Sequence, residues 1–292
     1  MSIKSGIYLT VAMALVLAGC DKKPDVRFAP YDKAYAGKPD FAEIEREYPI
    51  APKQLDSLTP ENLATLPQEQ VDQIYARLSA GVMPDGAYEG TFFLSEGGGL
   101  RRISEVMGGL KGVAINIKLN KLEHLGQALW KGKVFFKEQG ILRNMIRDRE
   151  YLKLVIDGDP DSLPTTNVNG VQTWLLFPAK VYCGQSLLDS RRESIVIDYA
   201  FSDDIEGYRE KPDFLAGRRG LKVRDEIRMI RPGFYLGRAY MDRVFVLNFT
   251  LYNKAVADQQ RSEFLKAGNP REECWVGTQR ITTAALDTTG SR

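Results

Sequence analysis

The chain has 292 residues, of which 43% are hydrophobic and 27% are charged, and its formal net charge is +2 at pH 7. This length suffices for one large domain or two small ones, and the composition is that of an ordinary globular protein. A nucleic-acid-binding protein would normally be strongly basic, so the charge argues against nucleic acid as a partner.

The first predicted element is an apolar run at the N-terminus. Lys4 supplies a positive charge, and residues 6–17 are apolar apart from Thr10. The run is too short to cross a hydrocarbon layer of about 30 Å as a helix, and it has the proportions of a secretory signal. It ends in Leu-Ala-Gly-Cys at Leu17–Cys20, which resembles the lipobox of bacterial lipoproteins.

This resemblance implies a signal peptide over residues 1–19, removed by signal peptidase II, and an acylated Cys20 as the first mature residue. The implied partner is a lipid bilayer, bound through the acyl chains of Cys20. Asp21 resembles the residue that retains enterobacterial lipoproteins at the inner membrane, so we expect an envelope protein that faces the periplasm, with the inner membrane favoured over the outer. An ordinary secreted protein or an uncleaved anchor helix is the alternative.

Residues 20–58 are polar and proline-rich, which predicts a semi-extended tether. A fully solvated linker rarely contains many aromatic residues, and this segment contains four: Tyr31, Tyr35, Phe41 and Tyr48. We therefore expect part of the tether to lie on the surface of the folded body.

Residues 59–81 are predicted to be helical. Thr59 followed by Pro60 is a typical helix start, and Pro67 begins a second helix. Its apolar residues follow the spacing of an amphipathic helix, and Gly81 ends it. The segment should pack on the body.

From residue 82 to 281 the sequence predicts a domain made mainly of antiparallel strands, with an inserted helix at about 103–129. The hydrophobic period changes to two at Gly86, and turn residues separate the later alternating runs. The fold class is therefore mainly β with flanking helices (α+β), an antiparallel meander that closes into a barrel. Residues 282–292 should be a frayed tail. The predicted strands are 86–94, 130–136, 142–146, 152–156, 171–177, 195–201, 222–231, 234–240 and 244–252.

Two short motifs in this domain resemble those of calycin or lipocalin-like barrels. Gly86-Ala87-Tyr88 stands where those families have Gly-x-Trp, and Asp198-Tyr199 is similar to their Thr-Asp-Tyr. The resemblance implies a cup that binds a small apolar or amphipathic molecule. The expected interior residues are Tyr88, Phe92, Trp130, Phe136, Tyr199 and Phe245.

Asp225 shares the apolar face of the predicted strand Lys222–Arg231 with Ile227. An unpaired charge on such a face is costly, so we expect a partner on a neighbouring strand, such as Arg238 or Tyr199. The pair could orient a ligand or perturb the pKa of a catalytic base, or it could be a structural ion pair. The candidate ligand-binding residues are Tyr88, Trp130, Tyr199, Asp225 and Arg238.

Other chemistry has little support in the sequence. His124 is the single histidine, so a histidine-dependent triad or zinc site would have to use it. No Gly-x-Ser-x-Gly, His-Glu-x-x-His or Cys-x-x-Cys motif is present in the sequence. We interpret His124 as structural, and we expect no catalytic residue of these classes, no metal and no cofactor.

Cys183 and Cys274 are the cysteines that remain beside Cys20. In an oxidising compartment they could form a disulfide, or one could be a reactive thiol. The sequence does not supply the separation of their Cα atoms, so both alternatives stay open.

Three functions follow from these predictions. The leading hypothesis is a lipid-anchored protein that binds a small ligand inside the barrel. The second is a structural or partner-binding envelope protein with a solid core, and the third is an enzyme that uses Asp225. A ligand-sized cavity would distinguish the first from the second; the identities of ligand and protein partners, and the oligomeric state, are not encoded in any recognisable motif.

Overall fold

A computed structural model describes residues 23–31, 39–95, 130–269 and 271–277. The predicted signal peptide, Cys20, the predicted helix at 103–129 with His124, and the tail at 282–292 lie outside the described residues. Among the residues that are described, none of the helices has the length and apolar character needed to cross a bilayer.

Nine antiparallel strands lie in the described part of the chain. Eight of them close into a barrel in the order β1-β2-β3-β5-β6-β7-β8-β9, with β9 paired to β1, and β4 forms a hairpin with the start of β5. The predicted fold class, a closed antiparallel barrel with flanking helices, is therefore confirmed. The strands are β1 Gly86–Phe93, β2 Trp130–Phe136, β3 Ile141–Ile146, β4 Thr165–Val168, β5 Val171–Gln185, β6 Glu193–Asp198, β7 Val223–Arg231, β8 Phe234–Met241 and β9 Val244–Tyr252.

The last three strands are joined by the two tight turns that the sequence predicts. Gly233 follows β7 with a φ of +75°, and a Cβ there would lie 2.6 Å from the carbonyl oxygen of Asn253, so the turn requires glycine. Asp242 and Arg243 connect β8 to β9 with φ values of +45° and +73°. Positive φ at both central residues matches the twist of a two-residue hairpin.

Seven α-helices flank the barrel in the described part of the chain. The N-terminal start predicted at Thr59 is confirmed, because its hydroxyl accepts a hydrogen bond from the Asn62 N–H at 3.2 Å. The helices are α1 Phe41–Glu47, α2 Pro52–Asp56, α3 Pro60–Ala64, α4 Gln68–Arg77, α5 Arg149–Val155, α6 Glu210–Asp213 and α7 Lys254–Ala267.

The apolar face of α4 covers the outer face of β7 and β8. Ile74 and Tyr75 are fully buried in a cluster with Ile230 of β7 and with Phe234 and Leu236 of β8. A second cluster fills the barrel interior. Both faces of these strands are therefore covered, which explains why β7 and β8 are almost entirely buried.

Several secondary-structure predictions differ from the structure. The strand predicted at 171–177 continues to Gln185, and the strand predicted at 195–201 ends at Asp198, where a short 3₁₀ helix, Tyr199–Asp204, begins. The strand predicted at 152–156 is the helix α5 and the turn that follows it, because Leu152 and Ile156 also satisfy the i, i+4 spacing of a helix and pack against Trp174. The strand β4 at 165–168 was not predicted, since its sequence, Thr-Thr-Asn-Val, lacks an apolar alternation.

The segment predicted as a tether contains two helices, α1 and α2. Phe41 and Ile44 of α1 are buried, as is Leu58. Upstream, Val26 is also buried. Much of residues 23–31 and 39–58 is thus packed on the rest of the fold, as the aromatic content of the segment suggested for a part of it.

Candidate functional site

A bulge in β2 determines which side chains enter the barrel. The register with β3 shifts between Trp130 and Gly132. Gly132 has a φ of +128°, and a Cβ there would lie 2.0 Å from the carbonyl oxygen of Tyr88, so only glycine fits. Trp130 and Lys133 consequently both face the interior.

This bulge overturns the alternation predicted for β2, which placed the lysines opposite the apolar residues. Val134 and Phe136 lie in a cluster outside the barrel, where they pack with Met145 and Leu175. Phe136, expected inside the barrel, is therefore on the other face. Lys133 lies inside the barrel and is 2% exposed.

Lys133 is the centre of a group of four polar side chains in the barrel, here called the polar cluster: Lys133, Asn144, Tyr199 and Asp225. The Lys133 Nζ lies 2.9 Å from Oδ2 of Asp225, and it donates to the Tyr199 hydroxyl at 2.7 Å and to Oδ1 of Asn144 at 2.9 Å. Trp130 donates from Nε1 to the same Asn144 oxygen at 2.8 Å. The three N–H donors of the ammonium group thus all have acceptors.

The surroundings keep this lysine charged. Burial by itself lowers the pKa of Lys133, but the carboxylate of Asp225 and the hydroxyl of Tyr199 outweigh that effect, and the pKa is raised. Burial also raises the pKa of Tyr199, which stays a neutral phenol. The rings of Trp130, Tyr199 and Phe249 lie 5.3–5.5 Å from Nζ, within the range of a cation–π contact.

Four of the five predicted ligand-binding residues lie in the barrel interior. Asp225 is 4% exposed and pairs with Lys133, which the sequence analysis did not propose; the Tyr199 hydroxyl lies 3.4 Å from its Oδ2. Tyr88 packs edge to face with Phe135 and Tyr235, with both centroid distances at 5.6 Å. The others in this interior group are Trp130 and Tyr199.

Arg238, the fifth, lies on the outer face of the barrel. Its neighbour on β7 is Glu226, whereas Asp225 is opposite Ala239. Because adjacent residues of a strand point to opposite faces, Arg238 cannot reach Asp225. It forms an ion pair with Asp72 of α4 and donates to the Tyr240 hydroxyl at 2.9 Å.

Phe245 also lies outside the barrel. Its ring centroid is 4.1 Å from the guanidinium carbon of Arg238. This outer face is not solvated as strand alternation suggests, because α4 covers it: Arg228 is fully buried and donates to the carbonyl oxygens of Tyr75 at 3.2 Å and Asp189 at 3.0 Å.

A disulfide joins Cys183, near the end of β5, to Cys274 in the C-terminal segment 271–277. Glu273 in this segment donates its N–H to the carbonyl oxygen of Gly81 at 3.1 Å, and its carboxylate lies 2.9 Å from the Lys137 Nζ. The segment therefore connects the end of β5 to the residues that precede β1 and to Lys137 after β2. Glu193 lies close to both sulfur atoms, but the disulfide occupies the thiolates that a metal ion would need.

A cavity of about 970 Å³ lies outside the barrel. We call it the helical cleft; its walls come from α1, α2, the end of α4 and the end of α7. Apolar and polar side chains both line it. The apolar lining residues include Ala42, Ile50, Pro52, Leu55, Leu78, Met229 and Phe264, and the polar ones are Asp40, Glu43, Glu45, Arg46, Arg77, Ser79 and Asn269.

Lys133 and the helical cleft were not predicted, for two different reasons. A glycine inside a predicted strand is a known signal of a bulge, and Gly132 could have shown that the alternation is interrupted. The cleft has no comparable signal, because its lining comes from segments around residues 40–55, 77–79, 229 and 264–269 that only the fold brings together.

In comparisons with known proteins, no family model, no curated protein and no solved structure matches the chain. The fold and its polar residues define a closed eight-stranded barrel with a buried lysine–carboxylate pair and an outer helical cleft.

Proposed function

We propose that this protein is anchored by lipid in the bacterial cell envelope and holds a small amphipathic molecule in the helical cleft. The observation that carries this proposal is the cleft itself. Its volume of about 970 Å³ lies within the range of ligand sites. A lining of both apolar and polar side chains suits a ligand that has both an apolar and a polar part.

The barrel supports the cleft and is not itself the container in this proposal. Leu142, Ile197 and Leu251 inside the barrel are fully buried, and the ammonium donors of Lys133 are all engaged within the polar cluster. A barrel of eight strands is narrow enough for its own side chains to fill. The amphipathic ligand that the sequence analysis expected in the barrel is therefore assigned to the cleft.

Two features support the anchor and the compartment. The motif at Leu17–Cys20 closes an apolar run of signal-peptide length. The disulfide between Cys183 and Cys274 is typical of an oxidising compartment beyond the cytoplasm. Asp21 favours the inner membrane, with the body facing the periplasm.

A second candidate is a structural or partner-binding envelope protein with a solid core. The observation in its favour is a set of exposed apolar side chains in one segment: Phe201 at 39%, Phe214 at 36% and Leu215 at 47% exposed. An enzyme that uses Asp225 has less support, because this carboxylate is buried and paired with Lys133 at 2.9 Å.

Extraction of the native protein tests the ligand. The protein is purified from its membranes, extracted with organic solvent, and the extract is analysed by mass spectrometry. Ala42→Trp places a large side chain in the cleft from α1, and Ala255→Trp makes the same change at an exposed position of α7 that does not line it. We expect an amphipathic compound to co-purify with the wild type and Ala255→Trp but not with Ala42→Trp. Equal recovery from all three, or from none, contradicts the proposal.

Replacement of Cys20 tests the anchor. Cys20→Ser removes the thiol that would be acylated, so the chain should leave the membrane fraction and lose the mass of its acyl groups. A variant that stays with membranes at an unchanged mass excludes lipidation at this residue.

A further inference from the structure

The chain just after the anchor is fixed to the body within a few residues. Pro24 and Val26 are buried, and the carbonyl oxygen of Asp25 accepts a hydrogen bond from Nε2 of Gln54 at 2.7 Å. The carbonyl oxygen of Arg27 accepts another from Arg77 at 3.0 Å. Residues 24–27 are therefore attached to the folded body.

Ala29 and Gln73 extend this attachment. The backbone N–H of Ala29 donates to Oε1 of Gln73 at 2.9 Å, and Nε2 of Gln73 donates back to the Ala29 carbonyl oxygen at 3.0 Å. This pair fixes residues 24–29 along α4 as well as α2.

The link between anchor and body is consequently short. Cys20 precedes Pro24 by four residues, and an extended chain spans at most about 3.3–3.6 Å per residue, which gives a reach of about 14 Å. A tether that ran through residue 58 would have been many times longer. With Cys20 acylated, the body is held directly against the bilayer surface.

The residues that bind this segment belong to elements that also form the helical cleft. Gln54, which binds Asp25, belongs to α2, and Pro52 and Leu55 of the same helix line the cleft. Arg77, which binds Arg27, also lines it. Residues 25 and 27, which follow Cys20 closely in the sequence, are therefore bound to residues of the helices that form the cleft.

We infer that the ligand of the helical cleft is the acyl chain of a bilayer lipid, taken up directly from the membrane against which the short link holds the protein. This inference rests on the proposed function. Every methylene group that passes from a bilayer into water costs free energy, so an acyl chain is transferred most readily where the protein touches the leaflet. The half-buried side chains of Ile50 and Leu55 offer apolar surface in the cleft to such a chain.

Photo-crosslinking in a membrane tests this inference. The full acylated protein is reconstituted into phosphatidylcholine vesicles that contain a trace of phosphatidylcholine with a diazirine in one acyl chain. After illumination, crosslinked peptides are identified by mass spectrometry. We expect crosslinks in α1, α2 and the end of α7. Ala42→Trp should reduce them, and Ala255→Trp should not.

A second experiment varies the length of the link between Cys20 and Pro24. About 20 Gly/Ser residues inserted between Asp21 and Lys22 lengthen the link roughly sixfold, and local concentration falls with about the −3/2 power of length, so the crosslink yield should drop about 15-fold. The same residues added after Arg292 leave the link unchanged and serve as the control.

The outcomes separate the two proposals. Crosslinks in the cleft that persist in the spacer variant overturn direct uptake from the bilayer, while the proposed ligand cleft stands. If the cleft is not crosslinked but a non-lipid amphiphile co-purifies with the wild type and is lost in Ala42→Trp, the lipid class is wrong and the proposed function stands. If no crosslink forms in the cleft and no compound co-purifies, both are wrong.

Discussion

The ion pair between Lys133 and Asp225 allows a quantitative test of whether the barrel interior is a packed structural core. Lys133→Met removes the ammonium group and keeps most of the side-chain length. It leaves the Asp225 carboxylate, 4% exposed, with the Tyr199 hydroxyl at 3.4 Å as its remaining side-chain contact in the polar cluster. Asp225→Asn leaves the buried lysine charge without its counterion.

Each single substitution should lower the free energy of unfolding by about 3–5 kcal/mol, because it leaves one uncompensated charge in the interior. The double variant Lys133→Met/Asp225→Asn contains neither charge. Trp130 and Tyr199 can still bind Asn144, at 2.8 and 2.9 Å in the wild type. We therefore expect the double variant to lose only about 1–2 kcal/mol, which is less than either single variant.

Urea unfolding followed by tryptophan fluorescence measures these differences, and Trp130 lies within 5.4 Å of the Lys133 Nζ. Lys153→Met is the matched control, because Lys153 forms an exposed ion pair with Glu150 at 2.7 Å. Its loss should cost less than about 1 kcal/mol. Single-variant costs that simply add in the double variant would show that the two charges are not coupled, and the packed-core interpretation would then be wrong.

Three other predictions concern stability. Replacing Cys183 and Cys274 by serine removes a disulfide that closes a loop across 91 residues, and the chain-entropy relation predicts that this lowers the free energy of unfolding by about 4.6 kcal/mol. Equal urea midpoints with and without the disulfide would contradict this. Gly132→Ala should destabilise by more than about 1 kcal/mol, since its Cβ would lie 2.0 Å from a carbonyl oxygen, and an unchanged melting temperature would disprove the requirement for the bulge. Burial alone would raise the pKa of Asp189, but a hydrogen bond from Arg191 and nearby guanidinium charge lower it overall. A pKa that is lower in the folded state adds stability that is complete above the ordinary value of about 3.9 and is lost as the pH falls below it. The free energy of unfolding of the wild type should therefore fall more steeply in acid than that of Asp189→Asn. Parallel plots of unfolding free energy against pH for the two proteins would contradict this.

Several elements were predictable because local chemistry specifies them. The helix start at Thr59 and Pro60 was predictable because both effects are local: the Thr59 hydroxyl caps a backbone N–H of the first turn, and the proline ring fixes φ at a helical value. The face shared by Asp225 and Ile227 follows from strand alternation, and both lie in the interior. The antiparallel barrel follows from short alternating strands joined by tight turns.

Predictions failed where local patterns permit two structures. Leu152 and Ile156 satisfy both helical and strand spacing, and packing against Trp174 selected the helix. In β2 one extra residue at the bulge exchanged the faces, which moved Lys133 inside and Phe136 outside. A change of one residue reverses every side chain that follows, so period alone could not have located the interior.

The sequence by itself determined the antiparallel barrel and the need of Asp225 for a partner, because each depends on residues close together in the chain. Only the tertiary structure decided that this partner is Lys133, that Arg238 lies on the opposite face, and that α1, α2, α4 and α7 enclose a cleft. The reason is physical: contacts between distant segments depend on strand register and helix packing, and many sequences with the same local pattern would place those side chains differently.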